Sequence, residues 1–303
     1  MKILIIGLGS IGKKHVNALL EINQNIEIYA LRSSKTAQKY LNVSNIYQLD
    51  ELSHIALDFC IVSTPTAHHA KDILKLIKLN IPLFIEKPLF SSLNNKAVLT
   101  QIAEHKINTY VACNLRFLEC LQYVKKNYLT DDSNLIINEV NAYCGSYLPD
   151  WRPGTDFRKS YSANEDLGGG VHIDLIHEID YLFWFFGQPL KVNKTFKSQS
   201  SLKINAIDYA NFTLMYENFT ASVVLNYFRR DPKRQLEIVF DQFTLKVDLL
   251  TNSIYKSDEL IFSSDQKTGE TYKAQLQHFI DNLNVNSFNT VEEAYDVLKI
   301  CLE

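Results

Sequence analysis

The chain has 303 residues, 46% of them hydrophobic and 21% charged, enough apolar material for one large or two ordinary cores, and two domains is the reading we adopt. A formal net charge of −3, with Lys and Arg scattered along the chain, argues against nucleic-acid or membrane-surface partners and for a small polar ligand. The apolar run Ile3-Leu4-Ile5-Ile6 is short and glycine-broken, and nowhere do roughly 18 apolar residues follow one another, so a soluble cytoplasmic protein is expected.

Residues 1–110 alternate short β-rich apolar runs with longer amphipathic ones: Lys2–Ile6, Lys13–Glu21, Ile26–Leu31, Phe59–Ser63, His69–Leu79, Leu83–Glu86, Leu93–His105 and Thr109–Ala112. Strands alternating with helices predict α/β architecture with a doubly wound parallel sheet, a Rossmann domain over residues 1–118. From about Leu135 the texture becomes long and β-rich, with Ile207–Tyr216 and Phe219–Tyr227 flanking a tight turn at Glu217-Asn218, then Gln235–Leu250 and Ser253–Tyr255. One helix, Gly169–Phe186, precedes most of these strands, and a last one begins at Thr290, which with Glu293 has capping-box spacing. Residues 119–303 therefore read as an α+β domain built on a mostly antiparallel open sheet. The five cysteines include no Cys-x-x-Cys pair and are read as reduced, mostly core residues.

Gly7-Leu8-Gly9-Ser10-Ile11-Gly12 follows the first strand and opens the first helix. The first glycine permits the tight turn, the second lets a pyrophosphate approach the backbone, and the third lets helix and strand pack closely, so Gly7, Gly9, Ser10, Ile11 and Gly12 are expected to cradle a dinucleotide. At the end of the second strand, where an NAD enzyme usually carries a carboxylate for the adenosine ribose, the chain reads Leu31-Arg32-Ser33-Ser34. A guanidinium and hydroxyls suit a 2′-phosphate, favouring NADP over NAD; the alternative is that Arg32 stacks on the adenine, which either cofactor allows. Two further turns, Ser63-Thr64-Pro65 and Glu86-Lys87-Pro88, lie at strand C-termini, the edge where doubly wound sheets bind ligands. From these residues alone, Glu86 and Lys87 could equally form a surface ion pair.

The ordered set formed by the glycine loop, Thr64-Pro-Thr-Ala-His-His69, Glu86-Lys87-Pro88, Asn114-Leu-Arg116-Phe117 and Gly168-Gly-Gly-Val-His-Ile-Asp174-Leu-Ile-His177 resembles the Gfo/Idh/MocA oxidoreductases over nearly the whole chain. That family takes its name from glucose-fructose oxidoreductase and inositol dehydrogenase. The resemblance implies an NAD(P)-dependent dehydrogenase in which Lys87 is the acid/base at the reacting hydroxyl, often beside a cis Lys-Pro bond. It also implies that His177 is the catalytic histidine and Asp174 its acidic companion. With the glycine loop, Arg32, Ser33, Ser63, Thr64, Pro65, His69, Glu86 and Lys87 complete the expected cofactor set.

On the expected helix Gly169–Phe186, Asp174, His177 and Tyr181 would share a face, while Val171, Leu175, Ile179, Leu182 and Phe186 would face the sheet. The familiar inositol dehydrogenase spacing is Asp-x-x-x-His; the Asp-x-x-His spacing here resembles the branch acting on sugar phosphates or nucleotide sugars. His172 is read as structural, Asp180 as a capping or pairing residue, and no metal site is expected, a zinc set of His172, Asp174 and His177 being the rejected alternative. The irregular stretch 147–170 carries Trp151, Arg152, Arg158, Lys159, Ser160 and Tyr161, groups suited to clamping a phosphate or stacking on a sugar, unless it is only a solvated connection. Asn114 and Arg116 could reach substrate or nicotinamide. The expected partners are a sugar substrate and, by analogy with the family, other copies of the chain in a dimer or tetramer. Rival readings are a cofactor-binding regulator without turnover and a reductase of a non-sugar substrate.

Overall fold

In a computed structural model describing residues 1–285 and 288–303, the first strands form a fully parallel sheet. Its members are β1 (Lys2–Ile6), β2 (Glu27–Leu31), β3 (Val43–Ile46), β4 (Phe59–Val62), β5 (Leu83–Glu86) and β6 (Thr109–Ala112), in spatial order β3-β2-β1-β4-β5-β6. Helices α1 (Ser10–Ile22), α2 (Thr66–Leu76) and α3 (Lys96–Glu104) lie between them in sequence. β4 and β5 are buried at every residue, as strands covered on both faces must be. β1 pairs with β2 on one side and β4 on the other, so the chain reverses direction across the sheet between β1 and β4 and leaves a crevice at their carboxyl ends.

The second sheet has order β14-β13-β12-β11-β7-β10-β9-β8. It comprises β7 (Ile137–Tyr147), β8 (Lys191–Lys197), β9 (Tyr209–Met215), β10 (Thr220–Asn226), β11 (Phe228–Phe240), β12 (Thr244–Asp248), β13 (Ser253–Lys256) and β14 (Glu259–Ser263). Every neighbouring pair is antiparallel except β7 with β10. The β9–β10 hairpin turns at Glu217-Asn218, closed by the Tyr216 amide on the Phe219 carbonyl at 3.0 Å, as the sequence predicts. Alternation along β9 buries Ala210, Phe212 and Leu214 and leaves the intervening side chains on the opposite face. The apolar face packs against α5 (Val171–Asp174) and α6 (His177–Phe186), while α4 (Glu119–Tyr128) contacts β12.

Two expectations change. First, the division is not a single cut near residue 118: one compact unit joins Met1–Asn114 with Thr268–Leu302, the other spans Leu115–Lys267 with the terminal Glu303. The returning segment forms α7 (Thr271–Asp281) and α8 (Val291–Leu302). Phe279 of α7 meets Phe59 edge-on at 5.1 Å and Phe84 at 5.5 Å. Asn289 covers the open edge of β6, its carbonyl accepting the Val111 amide at 2.8 Å and its side chain donating to the Val111 carbonyl. Unpaired edge groups and exposed aromatic area make that return favourable. Second, Gly169–Phe186 is two helices, because Leu175 leaves helical geometry at φ −95°, ψ 36°. Asp174 ends one and His177 begins the next, so the expected common face of Asp174, His177 and Tyr181 does not exist. Tyr181 is fully buried.

All five cysteines are buried and unbridged. No described helix is long and apolar enough to cross a membrane.

Candidate functional site

In the first unit, the turns after β1, β4 and β5 stand at the carboxyl ends of three adjacent parallel strands. Gly7 adopts φ +93°, and a Cβ there would lie 2.4 Å from the Thr64 amide nitrogen. The Ser63 hydroxyl donates to the carbonyl oxygens of Gly7 at 2.9 Å and Ile6 at 3.3 Å, tying the two turns together. A Cβ at Gly12 would meet the Gly7 oxygen at 2.4 Å, so only glycine lets α1 pack this closely on β1. A Cβ at Gly9, the N-cap of α1, would meet nothing within 4 Å. Side-chain-free space at a helix N-terminus fits a pyrophosphate, whose charge the first-turn amides and the helix dipole stabilise.

Beside this loop lies a cleft of about 610 Å³ lined by Gly7, Leu8, Leu31, Arg32, Ser33, Tyr47, Thr64, Pro65, His68, Lys71, Asp72 and Lys75, with Ile6 at its base. Gly7, Arg32, Ser33, Thr64 and Pro65 were expected there from sequence. Tyr47 and the α2 residues were not, although His68, Lys71, Asp72 and Lys75 fall on one helical face and could have been read from spacing. The Thr64 hydroxyl donates to Asp72 Oδ2 at 2.9 Å, and Lys75 Nζ lies 3.3 Å from Asp72 Oδ1.

His69 does not reach this cleft. It is buried, with Nδ1 3.1 Å from the Leu89 carbonyl and Nε2 2.9 Å from that of Thr64; burial lowers its pKa, opposed in part by those carbonyls. It braces the β4 and β5 turns against each other. Glu86, at the end of β5, pairs with His15 of α1 (Oε1 to Nε2, 2.5 Å), a buried link that sequence reading missed. Its second oxygen takes the Lys87 amide at 3.3 Å. The Lys87–Pro88 bond is cis, as the resemblance implies, and Lys87 is half-buried. Asn114 is spent inside the first unit: its Nδ2 donates to the Thr271 hydroxyl at 2.6 Å, at the start of α7.

In the second unit, Arg116 is fully buried and forms a two-point ion pair with Asp180, Nε to Oδ2 at 3.0 Å and Nη2 to Oδ1 at 2.8 Å. The guanidinium expected to reach substrate is therefore committed to anchoring α6. A parallel arrangement joins Arg234 to Glu178, at 2.7 and 3.0 Å. Asp174, half-buried, accepts from the Tyr227 hydroxyl at 2.6 Å. Burial, and then the Asp174 charge, push the Tyr227 phenol well above its ordinary range, so it stays a proton donor. His177 is buried at the first position of α6. His172 is buried against Phe196, its pKa lowered to about 4 by burial and by Lys194, in keeping with a structural role.

The segment 148–167 is organised as four short 3-10 turns. Trp151 donates to the Ser146 hydroxyl at 2.9 Å and sits edge-on to Tyr227 at 5.4 Å, with 40% of its surface exposed. Arg152 and Arg158 are exposed, Arg158 lying over the Phe157 ring, and Tyr161 is half-buried. Among the described residues no three His, Cys, Asp or Glu side chains converge as metal ligands.

A parallel sheet of this order, with a glycine loop at its point of reversal, defines a Rossmann dinucleotide-binding domain, here followed by an open-sheet domain. The chain belongs to the Gfo/Idh/MocA oxidoreductases: residues 1–113 match the family described as "Oxidoreductase family, NAD-binding Rossmann fold", and residues 137–246 match the "GFO/IDH/MocA C-terminal domain". Among curated relatives, the NADP(+)-dependent scyllo-inositol 2-dehydrogenase IolW of Bacillus subtilis is 25% identical over 73% of this chain and 61% of its own length. Glucose-6-phosphate 3-dehydrogenase of the same organism is 24% identical over 69% of this chain and 62% of its own. The chain thus spans about three fifths of the length of each. The fold is shared with UDP-N-acetylglucosamine 3-dehydrogenase GnnA from Acidithiobacillus ferrooxidans, with a TM-score of 0.80 at 19% identity, covering 100% of this chain and 95% of that one.

Proposed function

We propose that this protein is an NADP-preferring dehydrogenase that transfers hydride between nicotinamide and a hydroxyl-bearing carbon of a phosphorylated or nucleotide-linked sugar. The observation that carries the proposal is the alignment of the glycine loop, the Ser63-Thr64-Pro65 turn and Lys87 on one carboxyl edge, after β1, β4 and β5. The curated relatives act on inositol and on a sugar phosphate, as their names state, which supports a polyhydroxylated substrate.

NADP, when bound, accepts or returns the hydride. Gly9 and the first-turn amides of α1, Ser10 to Gly12, hold the pyrophosphate; Arg32 and Ser33 hold the 2′-phosphate, since no carboxylate follows β2 to bind a free 2′-hydroxyl. Lys87 takes the proton of the reacting hydroxyl and returns it in the reverse direction. His177, on the second unit, is the candidate to hydrogen-bond a substrate hydroxyl. Asp174, itself fixed by Tyr227, orients the substrate. Trp151, Arg152, Arg158 and Tyr161 supply an aromatic face and cations suited to a sugar carrying phosphate. The proposal also places the enzyme in the cytoplasm as a homo-oligomer; elution as a monomer in light-scattering chromatography would remove the latter.

Lys87→Met tests the central claim. The variant is expected to bind NADPH within about threefold of wild type while turnover on a panel of sugar phosphates, nucleotide sugars and inositols falls about 10²–10⁴-fold. Turnover near wild type removes Lys87 from the chemistry, and activity confined to inositols overturns the phosphate assignment.

A further inference from the structure

The cleft that Arg32 lines is also lined by α2, which presents Pro65, His68, Lys71, Asp72 and Lys75 to the same space. The charges on that wall are not equivalent. Lys75 is held by Asp72, whose other oxygen takes the Thr64 hydroxyl, so that carboxylate is doubly engaged. Among the described residues, neither Arg32 nor Lys71 has an ion-pair partner, leaving two uncompensated cations on one cleft, one from the loop after β2 and one from α2.

Helix geometry directs Lys71 into the cleft. Lys71 is six residues beyond Pro65, about 9 Å along the axis, and side chains on a helix lean toward its N-terminus. A lysine stem of four methylenes starting there leans back toward the rim at Thr64-Pro65 rather than away from it. The pyrophosphate is already provided for at Gly9, which leaves these two cations available to a second anionic group. An exposed lysine and a guanidinium lining one cleft match a phosphomonoester, whose several oxygens can accept from both.

We propose that Lys71 is a specificity-determining residue that closes on the adenosine 2′-phosphate from the α2 side while Arg32 and Ser33 hold it from the β2 side. This rests on the NADP reading above and assigns that preference to two separate elements, so that a carboxylate-free β2 turn alone would give only part of it.

The test uses the full chain and two probes without nicotinamide, 2′,5′-ADP and 5′-AMP, with affinities measured by calorimetry at low and high salt. Wild type is expected to prefer 2′,5′-ADP. Lys71→Gln is expected to weaken 2′,5′-ADP about five- to tenfold and 5′-AMP less than about twofold, with the gap between probes narrowing as salt screens the exposed cation. Arg32→Ala should weaken 2′,5′-ADP likewise, and the two changes together more than either alone. Unchanged 2′,5′-ADP affinity in Lys71→Gln, with Arg32→Ala still discriminating, overturns the role of Lys71 and leaves the NADP reading standing. If wild type itself shows no preference between the probes, both the NADP assignment and the inference fall, and NADH binding then decides the dehydrogenase reading independently.

Discussion

Replacing Arg116 by methionine separates the two roles this residue could play. Both side chains of the Arg116–Asp180 pair are essentially inaccessible, at 0% and 1%, and two hydrogen bonds of 3.0 and 2.8 Å hold them. Methionine removes the guanidinium and leaves the buried Asp180 carboxyl without its partner, a loss of about 3–5 kcal/mol for breaking a buried pair from one side. At roughly 2–4 °C per kcal/mol for a unit this long, the second unit should unfold about 6–20 °C lower. The assay is urea and thermal denaturation followed by circular dichroism, with NADPH affinity measured in parallel. Arg116→Met with Asp180→Leu removes both charges and should regain most of the lost stability, because the desolvation cost disappears with the carboxylate. Wild-type stability in Arg116→Met accompanied by a large rise in KM for substrate would refute the anchoring role and return Arg116 to the binding site.

Gly12→Ala should weaken NADPH binding at least about tenfold, measured by fluorescence quenching, because its Cβ would lie 2.4 Å from the Gly7 oxygen and push apart the loop and α1. Wild-type affinity would show that the loop can give way without cost. His172, held at about 4 by burial against an ordinary 6.5, binds fewer protons folded than unfolded, so its contribution to stability is full above pH 6.5 and is lost as pH falls toward 4. Between pH 7 and pH 5 this amounts to about 2 kcal/mol, which His172→Phe should remove from the pH dependence of urea unfolding; identical slopes in variant and wild type would contradict it.

Much of the first unit was legible in the chain because its signals are local. The run Lys2–Ile6, the glycines at 7, 9 and 12, and the strands ending at Val62 and Glu86 each combine an apolar period with a turn a few residues long, and these survive in the structure nearly to the residue. Arg32, Thr64 and Pro65 line the cleft for the same reason: position at a strand end follows from where the strand stops. The Gly169–Phe186 stretch misled because helical spacing continues through Leu175 and Ile176 while the backbone does not. α7 was missed because Thr271–Asp281 is amphipathic only weakly in sequence, and its partner Phe59 lies more than two hundred residues earlier.

Sequence by itself therefore determined the α/β order, the dinucleotide loop, the hairpin at Glu217-Asn218 and the placement of Lys87 at a strand end. Only tertiary structure decided which polar residues are left to act. Asn114 goes to Thr271, Arg116 to Asp180, Glu86 to His15 and His69 to the carbonyls of Thr64 and Leu89. The physical reason is that a buried polar group must find a partner, and which partner it finds depends on what packing brings within 3 Å, not on its neighbours in the chain.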